Sequence, residues 1–401
     1  MSNLILVTES YPLGALTEAA FIEPELNDLL EQFDRVILVP IMDRGTCHPL
    51  PEGIEVSRCV IDSGIMTRKW KRLFKANISP GFLEAPAYAI ACSSIASAIR
   101  DMVKREKLDP DNTLGYSFWF DLGAVALMNL KRLTGIRYVS RAHGYDVRMN
   151  KAPKLRLDAL KASEGVWAVS RHGANELKEK FPAAADKIST AYLGVNIPED
   201  TAVPPSSAFK KLSFISCSRV TPEKRVDYNI RFIRALAVAR PDYEIRLTHL
   251  GGSAEEIERL KALAEEPDPI FGIQPNFKAQ FSGNLPHPQV IDIMINGQYD
   301  WYILLSTVEG LPVAMMEAMS LGIPPVITDA GGSTEAVDDD CGIVLPLHPE
   351  PEQFVRGIAP YIDTPARHNA CAVASRDKIK THFNSAILRK EWAIMLRQLI
   401  D

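Results

Sequence analysis

The sequence predicts an α/β protein built from two doubly wound, parallel-sheet domains facing across a cleft. Short β-branched runs alternate with helix-like stretches in both halves, which is the pattern of parallel βαβ units. A Pro- and Ser-containing stretch from Asn196 to Ser207 separates the two series and reads as a linker. A length of 401 residues, 46% apolar and 24% charged, suits two domains of ordinary size, each with its own core.

In the first series, strands are expected at residues 3–8, 36–41, 113–118, 138–142, 166–170 and 188–193. Helices are expected at 23–32, 87–105, 121–133 and 175–180. The second series places strands at 212–217, 245–250, 278–282, 301–305 and 326–328, with helices between them. The domains are therefore residues 1–200 and 201–384. A last helix over 385–400 has Trp392 and Leu396 as apolar anchors. Its pattern suits either the end of the second domain or a return to the first.

Composition narrows the function. The net charge of −5 gives no support for nucleic-acid binding. No stretch reaches the roughly 20 apolar residues of a spanning helix, and the first residues read as a strand rather than a signal peptide. Six scattered cysteines form no CxxC pair, which argues against structural zinc and suits a reducing cytoplasm. One local feature stands out. From Met66 to Lys75 there are five basic residues and no acid, with Trp70, Leu73 and Phe74 at helical spacing among them. A basic amphipathic helix from Arg68 to Lys75 fits an anionic membrane surface. It fits equally a helix packed on its own domain.

The chemistry gathers at strand ends. Glu309 follows the strand-like run at 301–305. Glu317 lies about two turns down the helix that follows and ends near Gly322. Ligands of open α/β sheets bind at the carboxyl ends of strands, so the two carboxylates are expected in one crevice, Glu309 at its floor and Glu317 on its wall. A surface turn and an amphipathic helix carrying two unrelated acids is the plainer alternative. Three further segments sit at strand ends. Ser216 to Arg225 offers Arg219 and Lys224, with Arg225 ranked below them. Arg141-Ala142-His143-Gly144-Tyr145-Asp146 follows the strand at 138–142, and Tyr11 to Glu18 follows the first strand.

The run from Glu309 to Glu317 resembles the Glu-x7-Glu signature of retaining glycosyltransferases. Its surroundings resemble glycosyltransferase family 4: Glu-Gly-Leu-Pro at 309–312, Glu-Ala-Met-Ser-Leu-Gly-Ile-Pro-Pro-Val-Ile at 317–327 and Asp-Ala-Gly-Gly-Ser-Thr-Glu at 329–335. The likeness is close over most of residues 205–340 and loose in the N-terminal half. It implies two Rossmann-like domains in the GT-B arrangement, with an acceptor-side domain first and a donor-binding domain second. It also implies that the helix over 385–401 crosses back onto the first domain.

The resemblance implies a nucleotide-sugar donor, of which a UDP-sugar is the first choice, and no metal or other cofactor. Arg219 and Lys224 would meet the leaving phosphates. Charge-assisted hydrogen bonds of this kind contribute roughly 1.5–3 kcal/mol each. Glu317 would grip the ribose and Glu309 the transferred sugar, with backbone from Gly310, Leu311 and Pro312 beside them. Gly252, Asn284 and Leu285 would line the base by backbone contacts. His143 would approach the donor sugar, with Asp146 and Glu18 on the acceptor side. Family members carry a glycine-rich loop after the first strand, whereas this chain has only Gly14 there.

The expected activity is sugar transfer, with retention of configuration, to a glycan or lipid-linked acceptor in cell-surface polysaccharide synthesis. It would take place in the cytoplasm or at the inner face of the membrane. A non-catalytic nucleotide-sugar-binding subunit and a nucleotide-sugar epimerase of the same fold are the alternatives.

Overall fold

The computed structural model describes residues 1–14, 16–64, 84–198 and 210–401. The basic run from Arg68 to Lys75 lies outside them, as do residues 199–207 of the expected linker. The chain divides into two compact units, residues 1–193 with 387–401, and residues 194–386.

The first unit holds a seven-stranded parallel sheet: β1 (Asn3–Thr8), β2 (Arg35–Pro40), β3 (Ile54–Val56), β4 (Thr113–Ser117), β5 (Arg137–Ala142), β6 (Gly165–Ala168) and β7 (Ile188–Thr190). The spatial order is β3-β2-β1-β4-β5-β6-β7. Side chains alternate across a strand, and β1 shows the consequence. Ile5 and Val7 pack with Ile95 and Ile99 of the helix Glu84–Arg105 and with Val125 of the helix Leu122–Thr134. Leu4 and Leu6 pack on the other face with Ile22 and Leu26 of the helix Leu16–Gln32.

That second face also receives the end of the chain. Trp392 and Leu396, of the helix Ser385–Gln398, are buried in the same cluster as Tyr116 of β4. The Trp392 ring meets Tyr116 edge-on at 5.5 Å and Trp167 at 5.6 Å, and the Arg141 guanidinium stands over it at 4.2 Å. Arg141 itself is buried and pairs with buried Glu25.

The second unit holds a six-stranded parallel sheet: β8 (Lys211–Cys217), β9 (Glu244–Leu250), β10 (Phe277–Ser282), β11 (Trp301–Leu304), β12 (Pro325–Thr328) and β13 (Ile343–Leu345). The order is β10-β9-β8-β11-β12-β13. Leu212 and Phe214 of β8 pack with Ile230 and Ile233 of the helix Val226–Ala239 and Phe354 of the helix Pro351–Asp363. Two strands were not expected from the sequence, β3 and β13. Each is three residues long at a sheet edge, too short for alternation to register.

Candidate active site

Each sheet reverses its strand order once, and that reversal opens the crevice where open α/β sheets bind ligands. In the second unit it falls between β8 and β11. The loop after β8 carries Arg219, Lys224 and Arg225, and the loop after β11 carries Glu309. Hydrogen bonds tie these loops together. The Thr307 N–H donates to the Glu223 carbonyl at 2.8 Å, and Lys224 Nζ donates to Glu309 Oε1 at 2.6 Å. The Glu309 side chain is 6% exposed and that of Lys224 is 19% exposed. Burying a charge is costly unless a partner and hydrogen bonds offset the lost hydration. Lys224 gives one of its three N–H donors to this contact. Arg219 is exposed and forms no ion pair among the described residues.

Arg225 has another task. It adopts the left-handed conformation at φ +46° and is buried. Its Nη2 donates to the carbonyls of Ser306 at 2.9 Å and Leu347 at 2.7 Å, fastening the end of β11 to the loop after β13.

Glu317 lies nearer the start of its helix than the two turns expected from the sequence. The helix Val313–Ser320 begins only after Pro312, so Glu317 is little more than one turn inside it. Its Oε1 is 2.7 Å from His287 Nε2, the ring that opens the helix His287–Asn296 beyond β10. Hydrogen bonding to Glu317 raises the His287 pKa above the ordinary histidine value, against the opposing effect of burial. The N–H groups of Gly310 and Leu311 have no acceptor among the described residues. They stand at a helix N-terminus, where negative charge is favoured. The Gly331-Gly332 turn presses on them so closely that a Cβ on Gly332 would stand 1.6 Å from the Gly310 carbonyl oxygen.

The loops after β9 and β10 are joined to each other. The Gly252 N–H donates to Asn284 Oδ1 at 3.1 Å, and the Asn284 N–H donates to the Gly252 carbonyl at 3.1 Å. Leu285 is half-buried beside them. Gly251, at φ +115°, lets the first of these loops approach β8: a Cβ there would fall 2.2 Å from the Ser218 carbonyl oxygen. At the ends of β8 and β9, Ser216 Oγ and His249 Nδ1 are 2.8 Å apart. Burial pushes the pKa of His249 down to about 4, so it is a neutral ring near pH 7.

In the first unit the reversal falls between β1 and β4. Glu18 is buried there, and its carboxylate accepts from the N–H groups of Glu9 at 2.8 Å, Ser10 at 2.8 Å and Tyr11 at 2.9 Å, and from Trp119 Nε1 at 2.7 Å. The Glu18 carboxylate, expected on the acceptor side, shapes the loop after β1. The Gly14 N–H likewise turns inward, to the Pro12 carbonyl at 3.3 Å. His143 is buried between Phe118 and Trp119, at ring-centroid distances of 4.6 and 4.5 Å. Both of its ring nitrogens lack a hydrogen-bond partner among the described residues. Burial, with Arg141 adding to it, holds its pKa well below the usual histidine range. Asp146 accepts from the N–H groups of His143 and of Phe120, the latter at 2.6 Å. Burial raises its pKa to about 7 despite those donors.

Asp146 also lines a cavity of about 340 Å³ at this reversal point, together with Glu9, Tyr88, Trp119, Asp121 and Tyr145. The Tyr88 hydroxyl donates to the Asp121 carboxylate, whose pKa burial raises. Sequence reasoning missed His287, Tyr88 and Asp121. His287 lies two positions beyond Leu285, just past a loop already singled out, whereas nothing in the sequence links Tyr88 to Asp121 thirty-three positions on.

Residues 201–378 match the family described as Glycosyl transferases group 1. A GDP-mannose-dependent monoacylated alpha-(1-6)-phosphatidylinositol monomannoside mannosyltransferase of Corynebacterium glutamicum is 24% identical over 328 residues, covering 76% of this chain and 79% of the relative. One component of the phosphatidylinositol N-acetylglucosaminyltransferase of Arabidopsis thaliana is 24% identical over 267 residues, 65% of this chain and 56% of its own length. Among solved structures, the apo lipopolysaccharide outer core galactosyltransferase WaaB superimposes with a TM-score of 0.69 at 15% identity, over 98% of this chain and 99% of its own. HepE of Anabaena in complex with UDP gives 0.65 at 17% identity, over 99% of this chain and 100% of its own. At such identities the structural likeness establishes the fold, which is the two-domain GT-B class.

Proposed function

We propose that the protein is a retaining glycosyltransferase. It transfers a sugar from a nucleoside-diphosphate sugar to a hydroxyl of a glycan or lipid-linked saccharide, in the making of cell-surface polysaccharide or glycolipid. The observation that carries this reading is the Lys224–Glu309 pair at the strand-order reversal of a group 1 domain. Lys224 and Arg219 bring positive charge to the departing diphosphate. Stabilising charge that develops in the transition state is usually the largest catalytic contribution. The N–H groups of Gly310 and Leu311 add donors, Glu309 accepts from hydroxyls of the transferred sugar, and Glu317 accepts from the ribose. The bond between the sugar's anomeric carbon and the phosphate oxygen breaks. A bond to the acceptor oxygen forms on the same face, and the acceptor's proton passes to the departing phosphate.

His143, neutral and ring-stacked, serves the donor sugar as a hydrogen-bonding group rather than as a charge. The cavity beside Asp146 takes the acceptor's hydroxyl-bearing ring, with Trp119 and Tyr145 as apolar faces and Asp121 as an acceptor. A UDP-sugar is the first donor to try, because a neighbour of this fold is a UDP complex. The mannosyltransferase relative is named for GDP-mannose, which makes that donor the second. No helix among the described residues is long and apolar enough to cross a membrane. Work at the inner membrane face, with the run from Arg68 to Lys75 as the contact, belongs to this proposal.

The test is release of nucleoside diphosphate from a panel of nucleotide sugars with membrane extract as acceptor, followed by NMR of the product linkage. Acceptor-dependent release with retained configuration supports the reading. Inverted linkage refutes retention, binding without turnover points to a non-catalytic subunit, and isomerised donor to an epimerase.

A further inference from the structure

His287 has no role in the reading above, yet it makes the contact that holds Glu317. The strand order sets β9 and β8 between β10, which leads to His287, and β11, which leads to Glu317. The hydrogen bond between His287 Nε2 and Glu317 Oε1, at 2.7 Å, therefore links the two far sides of the nucleotide half of the site. Between them lie the Gly251-Gly252 loop and the loop bearing Arg219 and Lys224. The two partners are unequal. The Glu317 side chain is 12% exposed and that of His287 is 60% exposed. The carboxylate is thus the settled member, and the imidazole reaches in from the surface to fix which way its oxygens point. One carboxylate oxygen is engaged by the ring, while Oε2 has no hydrogen-bond partner among the described residues. A carboxylate offers about four lone-pair sites, so one donor from His287 leaves room for two hydroxyls.

We infer that His287 is a positioning residue for Glu317 and thereby sets the preference of this site for a ribonucleotide over a 2′-deoxyribonucleotide donor. This rests on the ribose role of Glu317 stated above. A carboxylate aimed at a vicinal diol gains from both hydroxyls only when its plane is held. Released from the ring, it rotates and accepts from one hydroxyl at a time. The preference for ribose should then fall while the diphosphate contacts stay intact.

The test is calorimetric titration with UDP and GDP, each beside its 2′-deoxy counterpart. Wild-type protein should bind the preferred ribonucleotide about tenfold or more tightly than its deoxy form, as a lost charge-assisted hydrogen bond predicts. His287→Ala should bring that ratio close to one with the melting temperature little changed, since the side chain is mostly exposed. His287→Gln, which keeps an N–H donor at similar reach, should restore most of it. A wild-type ratio in His287→Ala overturns the inference. Glu317→Ala separates the two levels of failure. If it abolishes the preference while His287→Ala does not, His287 is dispensable and the ribose role stands. If neither variant changes the ratio, or if wild-type protein shows no preference, the ribose role of Glu317 fails as well.

Discussion

The two strand-order reversals share one topology and differ in how their charges are matched. Between β1 and β4, Glu18 is sealed by four donors from its own unit, three of them backbone. Between β8 and β11, Glu309 and Glu317 are held by side chains, Lys224 and His287, each at the end of a flexible stem or on an exposed ring. A carboxylate fixed by backbone donors is part of the scaffold. One held by a side-chain cation can trade that partner for a ligand. The same fold thus makes a rigid wall at one reversal and an exchangeable charge cluster at the other.

The largest expected effect is on the exchangeable side. Lys224→Ala should lower turnover about 100- to 1000-fold, as loss of one group aimed at developing charge does. Measured nucleoside-diphosphate release near the wild-type rate would erase the distinction drawn above. The rigid side should answer in stability instead. Glu18→Ala strands four donors around the loop after β1 and should cost about 3 kcal/mol or more in urea unfolding of the first unit. Nucleoside-diphosphate affinity should change little, and a large loss of affinity without loss of stability would reverse the assignment of Glu18. Gly332→Ala is a milder probe. The added methyl meets the Gly310 carbonyl, and relieving such overpacking costs about 1–3 kcal/mol, seen as weaker nucleotide binding.

The smallest effect concerns pH. The folded pKa of His287 is raised above its ordinary value of 6.5, first by hydrogen bonding to Glu317. Its folded form therefore binds the proton more tightly than the unfolded chain does, and the sign of linkage follows. The stabilisation from the pair is fully present below about 6.5 and is lost as pH rises through the folded pKa. The difference in melting temperature between wild type and His287→Gln should shrink from pH 6 to pH 8. A difference that grows would mean the proton is not shared with Glu317.

Much of this was legible in the chain. The strand-like runs at 3–8 and 301–305 could be placed because an apolar run between turn residues leaves few other readings. Glu309, Lys224 and the glycine loops could be singled out because each follows such a run. The pairing of Lys224 with Glu309 spans 85 positions and is set by which strands adjoin, and that information is spread over both cores. The same holds for His287, thirty positions before Glu317. Glu18 shows another limit of reading a sequence alone. A carboxylate just after a strand end looks like a ligand contact, and only the count of backbone donors around it reveals that it is already engaged. The start of the helix at Val313 was displaced by Pro312, a local effect that shifts Glu317 by most of a turn.

The return of residues 387–401 to the first unit has a consequence for the order in which the protein comes into being. A ribosome delivers residues 1–193 first, yet Trp392 and Leu396 must arrive before Tyr116, Trp167 and Arg141 are covered. The later-made unit, residues 194–386, therefore has its whole sheet in hand while the earlier one still shows an aromatic face to solvent. The half of the protein that is translated first is the half that closes last. During that interval the exposed rings of β4 and β6 are the surface a chaperone would have to shield.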